Sequence, residues 1–311
     1  MAQTIKVAVI QLHPKVGFCP VRHPLHAHSP MQPLQIEDNF NKAANFIKAA
    51  ALQGAQLAVL PEYHLTNWVP KDPGFLPLCE QWETYLKKYQ ALAKEHRICI
   101  VPGTIVERHR DAEKEEDKLL NVAYFIDQDG EIIGKYVKKN LWGPEREHLT
   151  SSGRDIHEVF DTPLGRVGML ICWDLAFPEA FRELIAQGAK IIVIPCFWTL
   201  SDCSPKGLGY NPSSEALFLD SMLTARAFEN TCAIIFANAG GPPGKGYAGV
   251  SQVTIPYVGP ITRLGSCAEG MSVVDLDLSI LEDAEQNYQV RADLARHDWH
   301  YDYRHDSKGK I

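Results

Sequence analysis

Residues 53–62, QGAQLAVLPE, return at 187–196 as QGAKIIVIPC. Each copy ends a helical pattern, stops it at a glycine, runs four apolar residues without a break and closes on proline. Glycine past the last helical residue supplies the left-handed position that ends many helices. A strand that is apolar at every position, rather than at alternate ones, is covered on both faces. A chain that makes this move twice is committed to strands buried under helices, the α/β class.

Further unbroken apolar runs support that class: Ile5–Ile10, Ile98–Val101, Val167–Ile171 and Cys232–Phe236. Helical spacing joins them. Phe40, Ala44, Ile47 and Ala51 share a face before Gly54, and Pro178 opens a helix in which Phe181, Leu184 and Ile185 share a face before Gly188. A third helix is expected over 213–229, with Leu217, Met222, Ala225 and Phe228 among its apolar positions. The repeat fits either two ordinary αβ units that look alike or two related halves with paired sheets. No linker-like composition divides them, so one domain is expected. Two stretches read as excursions: Phe18–Gln35, rich in proline and histidine, and the charge run Glu107–Lys118, expected to be a solvated loop.

Composition narrows the function. With 311 residues, 45% of them hydrophobic, the core needs no disulfide or metal staple. The formal net charge of -7 disfavours nucleic acid and anionic membranes as partners. No apolar stretch approaches the roughly 20 residues of a membrane span. The opening MAQTIKVAVIQL lacks a signal-peptide layout and reads as a first strand. The eight cysteines are scattered without a CxxC, which points to free thiols and a cytoplasmic location. His23, His26 and His28 lack a second ligand cluster at metal-binding spacing, so no metal and no cofactor are expected.

Strand ends are where α/β proteins carry their sites. Glu62 ends one run and Cys172 another, in GRVGMLICWDLAFPEAFREL. Between them GKYVKKNLWGPEREHLTSSG crowds Lys135, Lys138 and Lys139 beside Glu145 and Glu147. A thiol, a lysine and one or two glutamates form a coherent nucleophilic site. The ammonium favours the thiolate, a carboxylate moves the proton and later activates water, and a fixed cation or backbone N–H holds an oxyanion. A lysine beside Glu62 would also account for a carboxylate at the tip of a core strand.

These segments resemble the nitrilase superfamily, the carbon–nitrogen hydrolases with a Glu-Lys-Cys triad. The resemblance runs through VAVIQLHP (7–14), LAVLPEYHLTNW (57–68), GKYVKKNLW (134–142), VFDTPLGRVGMLICWDLAFPE (159–179), ARAFEN (225–230), GVSQVTIPYVGP (249–260) and EGMSVVDLDL (269–278). It implies a four-layer αββα sandwich of two pseudo-symmetric halves over residues 1–278, followed by a C-terminal extension, 279–311. It implies Glu62 as general base, Cys172 as nucleophile and Lys138, rather than its neighbour Lys139, as the fixed cation. Of the two nearby glutamates it points to Glu145, rather than Glu147, as the further carboxylate. It also implies a homodimer or larger homo-oligomer, with 177–185, the 213–229 helix and the tail RHDWHYDYRHD at the interface.

The expected activity is hydrolysis of a small neutral amide through a thioester. The backbone N–H of Trp173 helps hold the oxyanion, and Trp142, Trp173, Phe197 and Trp198 form the pocket. Relatives that act on N-carbamoyl amino acids, and some ω-amidases, carry an arginine after the Cys-x-Asp; Ala176 stands here. A substrate carboxylate therefore lacks its partner, unless Arg182 or Lys206 reaches the pocket from elsewhere. Rival readings are a nitrilase, an N-carbamoyl amide hydrolase and a catalytically silent scaffold on the same fold. The intact Glu62, Lys138 and Cys172 argue against the last.

Overall fold

In a computed structural model, which describes residues 4–15, 35–111 and 116–301, the two QGA segments occupy equivalent places in two sheets. The first half runs β1 (Thr4–Gln11), α1 (Ile36–Leu52), β2 (Leu57–Val59), α2 (Phe75–Cys79), α3 (Trp82–His96), β3 (Cys99–Val101), β4 (Thr104–Asp111), β5 (Glu116–Ile126) and β6 (Ile132–Val137). The second runs β7 (Val159–Thr162), β8 (Gly165–Met169), α4 (Pro178–Ala186), β9 (Ile191–Cys196), α5 (Pro205–Tyr210), α6 (Ser214–Glu229), β10 (Ala233–Asn238), β11 (Gln252–Ile255) and β12 (Gly259–Arg263). The chain then returns through β13 (Gly270–Asp277), which pairs antiparallel with β1, and ends in α7 (Ser279–Tyr288) and α8 (Val290–Leu294).

The repeat is structural. Gly54 and Gly188 both take a left-handed backbone, φ 79° and 89°, that a side chain would strain. Each glycine releases a central parallel strand: β2 lies between β1 and β3, and β9 lies between β8 and β10. The first sheet has seven strands in the order β13-β1-β2-β3-β5-β4 with β6 on β5; the second has six in the order β12-β11-β10-β9-β8-β7.

Alternation along these strands sets the layers. Val7, Val9, Leu57 and Val59 pack in one core with Val167, Ile191 and Val193 of the second sheet. Their neighbours Ala8, Ile10 and Ala58 pack in another core with Phe40 and Ile47 of α1 and Tyr89 of α3. The far face of the second sheet is covered by Phe181 and Leu184 of α4 and by Leu219 and Leu223 of α6. The result is the expected four-layer αββα sandwich, and the unbroken apolar runs are unbroken because both faces are dry. Each fully buried Val, Leu or Ile contributes roughly 1.5–3 kcal/mol relative to exposure.

One expectation needs correction. The described part of the charge run is paired strand, not loop: residues 104–111 of β4 pair antiparallel with 116–123 of β5. Glu107 is fully buried there, taking the Tyr124 hydroxyl, His109 Nε2 at 2.7 Å and Lys135 Nζ at 3.3 Å. Lys135, on β6, supplies the distant counter-charge, which a local reading of the run cannot see. The third helix forms as expected, as α6, and buries only part of its apolar set. Leu219, Leu223 and Ala227 face the core at four-residue spacing, while Leu217 is 59% exposed. Arg226 joins the buried face by pairing with Glu229 at 2.8 Å and lying over the Phe181 ring.

The first excursion, apart from Gln35, lies outside the described residues, as do His23, His26 and His28 and the tail from 302 onward. Before that tail, α7 buries Leu281 and α8 is anchored by Arg291, whose Nη2 donates to Ala189 O at 2.8 Å.

Candidate active site

The tips of β2 and β9 meet. Glu62 follows Pro61 just beyond β2, and its backbone N–H donates to Cys196 O at 3.3 Å. Its side chain turns the same way, with Oε2 accepting the Phe197 N–H at 2.9 Å. The carboxylate is fully buried and satisfied: Oε1 also takes Asn121 Nδ2 at 2.7 Å and Lys138 Nζ at 2.9 Å.

Lys138 stands one residue past β6, held by its backbone N–H to Asn121 O at 2.9 Å. Its ammonium is fully buried and bridges Glu62 and Glu145, the latter at 2.7 Å. Two of its three N–H groups thus serve carboxylates. Glu145 sits in a short 3₁₀ turn after Pro144, with its Oε2 accepting the Trp142 N–H at 2.7 Å and its Oε1 taking the Tyr63 hydroxyl. Lys139 points away and donates to Asp155 O, and Glu147 is exposed.

Cys172 follows β8 at the start of a 3₁₀ turn, Cys172–Ala176, with φ 46°. A left-handed backbone at a non-glycine residue is strained and persists only where its surroundings enforce it. Asp174 does so. Its Oδ2 accepts the Ile171 N–H at 2.9 Å and the Tyr136 hydroxyl at 2.8 Å, and its Oδ1 accepts Asn140 N at 3.0 Å and Nδ2 at 2.8 Å. One carboxylate therefore ties the cysteine turn to the strand end that carries Lys138.

Electrostatics follow from burial. Burial pushes the Glu62 carboxyl above its ordinary value, and Glu145 adds to this against the pull of Lys138. Burial opposes charge on Lys138 too, but Glu62, Cys172 and Glu145 together hold its ammonium well above the usual lysine value. Burial likewise pushes the Cys172 thiol well up, helped by the neighbouring Cys196 thiol and by Glu62. Burial thus favours the thiol at Cys172, its carboxylates favour the ammonium at Lys138, and the Glu62 carboxyl shares the cavity with the thiol. That arrangement can pass a proton from sulfur to carboxylate as the sulfur attacks, and can stabilise negative charge nearby.

A cavity of about 170 Å³ opens onto these groups, lined by Glu62, Glu145 and Cys172, the aromatics Tyr63, Trp68, Trp142, Trp173, Phe197 and Trp198, and Asp202. Trp173 is the hub, its ring 4.8 Å from that of Trp142 and 5.4 Å from that of Trp198. Beyond Trp68 and Pro144 lies a wider groove of about 890 Å³ with Lys71, Asp72, Glu147 and His148 on its walls. It holds none of the buried polar groups. Lys206 is exposed and lies over the Tyr210 ring, and neither it nor Arg182 lines the inner cavity.

The sequence expectation had Glu62, Lys138, Glu145 and Cys172 in one cluster and four aromatics around it, and the structure brings all of them together. It missed Asn121, Tyr63, Asp174 as a clamp, Trp68 and Asp202. Asn121 had a signal: a lone amide inside the apolar run LLNVAYF.

Known proteins share this architecture. A family pattern described as carbon–nitrogen hydrolase matches residues 6–286. A deaminated glutathione amidase of Mus musculus is 30% identical over 268 residues, covering 82% of this chain and 77% of that protein. A 2-oxoglutaramate amidase of Bacillus subtilis is 28% identical over 267 residues, covering 83% and 92%. Among solved structures, an amidase of the nitrilase superfamily from Nesterenkonia AN1 superposes with a TM-score of 0.67 at 25% identity, covering 92% of this chain and 96% of the other. The sandwich, its paired strand tips and these relatives agree, and the chain belongs to the carbon–nitrogen hydrolase family, enzymes of the nitrilase superfamily that cleave carbon–nitrogen bonds.

Proposed function

We propose that the chain is an amidase in which Cys172, Glu62 and Lys138 form the catalytic triad and Glu145 fixes the lysine. The observation that carries this reading is the buried ammonium of Lys138 bridging Glu62 and Glu145 directly under a cavity that exposes Cys172. Glu62 takes the thiol proton as the Cys172 sulfur bonds to the amide carbon. The oxyanion is held by Lys138 and by the N–H of Trp173, at the open start of the turn. Glu62 returns the proton to nitrogen, the C–N bond breaks and ammonia or an amine leaves. Water then gives a proton to Glu62 and attacks the thioester. The C–S bond breaks and the thiol is restored.

The same reading places the chain in the cytoplasm. The seven described cysteines are free thiols, and among the described residues no helix is long and apolar enough to cross a membrane. It also makes the chain a homodimer or larger homo-oligomer, with α4, α6 and the 279–311 extension at the interface. Exposed Leu217, Tyr257, Val258 and Tyr288 support an interface in that region.

The test is ammonia release from matched amides, nitriles and N-carbamoyl amino acids by wild type and Cys172→Ala. Cys172-dependent ammonia from amides supports the reading. Cys172-dependent release from nitriles alone refutes it.

A further inference from the structure

We propose that the substrate is an amide whose acyl chain carries a positive charge, and that Asp202 and the surrounding indole faces select it. This rests on the amide reading above and adds the substrate class.

Asp202 lines the same cavity as Cys172. A turn of its own chain aims it: Oδ2 accepts the Thr199 N–H at 2.9 Å and Oδ1 accepts the Thr199 hydroxyl at 2.8 Å. A carboxylate has about four acceptor sites, so two backed by Thr199 leave others for a ligand. The charged groups that act on it are negative. Glu215 and Glu145 both push its carboxyl up, in the same direction as burial. Glu215 is already engaged by the Trp198 indole N–H at 2.6 Å.

Counting charge around the cavity decides the sign of the ligand. Glu62 and Glu145 share the single ammonium of Lys138. Asp202 adds a third carboxylate, and apart from Lys138 beneath it no lysine, arginine or histidine among the described residues lines the inner cavity; Lys71 and His148 stand in the outer groove. An anionic substrate meets repulsion there. A neutral one leaves Asp202 partly desolvated without a counter-charge. A cationic one supplies that counter-charge. The walls agree, because indole rings attract cations through their faces, and Trp142, Trp173 and Trp198 are all present. The sequence expectation of a neutral substrate drew on Ala176, which removes a partner for a carboxylate. Asp202 goes further and favours the opposite charge. The ligand class is an ω-amino acyl amide small enough for a cavity of about 170 Å³.

The experiment compares ω-aminoalkanamides with alkanamides of matched length, from three to six carbons, by ammonia release at low and high salt. In wild type the charged member should win in kcat/KM by roughly ten-fold or more at its best chain length, the scale of a hydrogen bond to a charged group. Asp202→Asn should bring that ratio towards one. Because both amides are read on one enzyme preparation, the ratio does not depend on how much of the variant folds. Added salt should shrink the wild-type ratio. Cys172-dependent hydrolysis of neutral amides with no advantage for the charged ones overturns the proposal and leaves the amidase reading standing. A ratio that Asp202→Asn does not change also overturns it. Absence of Cys172-dependent hydrolysis with every amide, charged or neutral, overturns both.

Discussion

Lys138→Met keeps the length and the apolar stem of the side chain and deletes only the ammonium. What remains is two buried carboxylates, Glu62 and Glu145, whose Oε1 atoms had been 2.9 and 2.7 Å from one nitrogen. Removing one partner of a buried ion pair costs about 3–5 kcal/mol. The chain can limit the loss by protonating one carboxylate, and this sets a scale. At about 1.4 kcal/mol per pH unit, neutralising a glutamate of ordinary pKa near 4.3 costs about 3.7 kcal/mol at pH 7 and about 1 kcal/mol at pH 5.

The sign follows from linkage. In the variant the native state binds a proton that the unfolded chain does not, so its stability falls as pH rises from the ordinary glutamate value towards the raised one. In wild type the Lys138 pKa is raised, so its contribution is fully present below the ordinary lysine value and constant between pH 5 and 7. The raised Glu62 pKa gives wild type some slope of its own, and the measurement is therefore the difference between the two proteins. Urea unfolding followed by tryptophan fluorescence should show the variant less stable by about 3–5 kcal/mol at pH 7, with some 2–3 kcal/mol of that deficit gone at pH 5. A deficit under about 1 kcal/mol at pH 7, or one equal at both pH values, refutes the view that Lys138 exists to neutralise this pair.

Three further outcomes are expected. Cys172→Ala should abolish turnover with little effect on urea stability, and intact mass of quenched wild type should show an acyl adduct that the variant lacks. Glu62→Gln should slow deacylation and let a thioester accumulate, whereas normal turnover by this variant excludes Glu62 as the base. Because Glu62 is raised, the acidic limb of kcat/KM should rise with pH above the ordinary glutamate range and vanish in Glu62→Gln; a limb that persists in the variant belongs to another group.

Legibility in the sequence followed the range of the interactions. The QGA repeat revealed two equivalent strands because a glycine stop and two-sided burial leave a local imprint. Glu62, Lys138 and Cys172 were readable because each sits at a strand end in a distinctive motif. Asp202 was not, since its meaning depends on the 199–202 turn folding over a cavity built from other elements. Nor was the clamp at Asp174, whose four donors come from Ile171, Tyr136 and Asn140. Glu107 failed for the same reason: Lys135 pairs with it and the Tyr124 hydroxyl donates to it from beyond the charge run.

The division of the site between the halves has a mechanical consequence. The first half supplies Glu62, Lys138 and Glu145, and the second supplies Cys172. The distance from base to nucleophile is therefore set by how the two sheets pack, not by any one loop. The direct ties across that seam at the site are short: Glu62 N–H to Cys196 O, Phe197 N–H to Glu62 Oε2, and the Asp174 bridge to Asn140 and Tyr136. The repeated strands thus meet tip to tip, and the position that carries Glu62 in one copy carries Cys196 in the other, beside Cys172. Trimming the core between the sheets, as in Val59→Ala, should lower kcat by more than its loss of stability alone accounts for, because a displacement near 1 Å at a reacting pair can cost roughly 10²-fold. Unchanged kcat in a well-folded Val59→Ala would mean that the local ties hold the geometry by themselves.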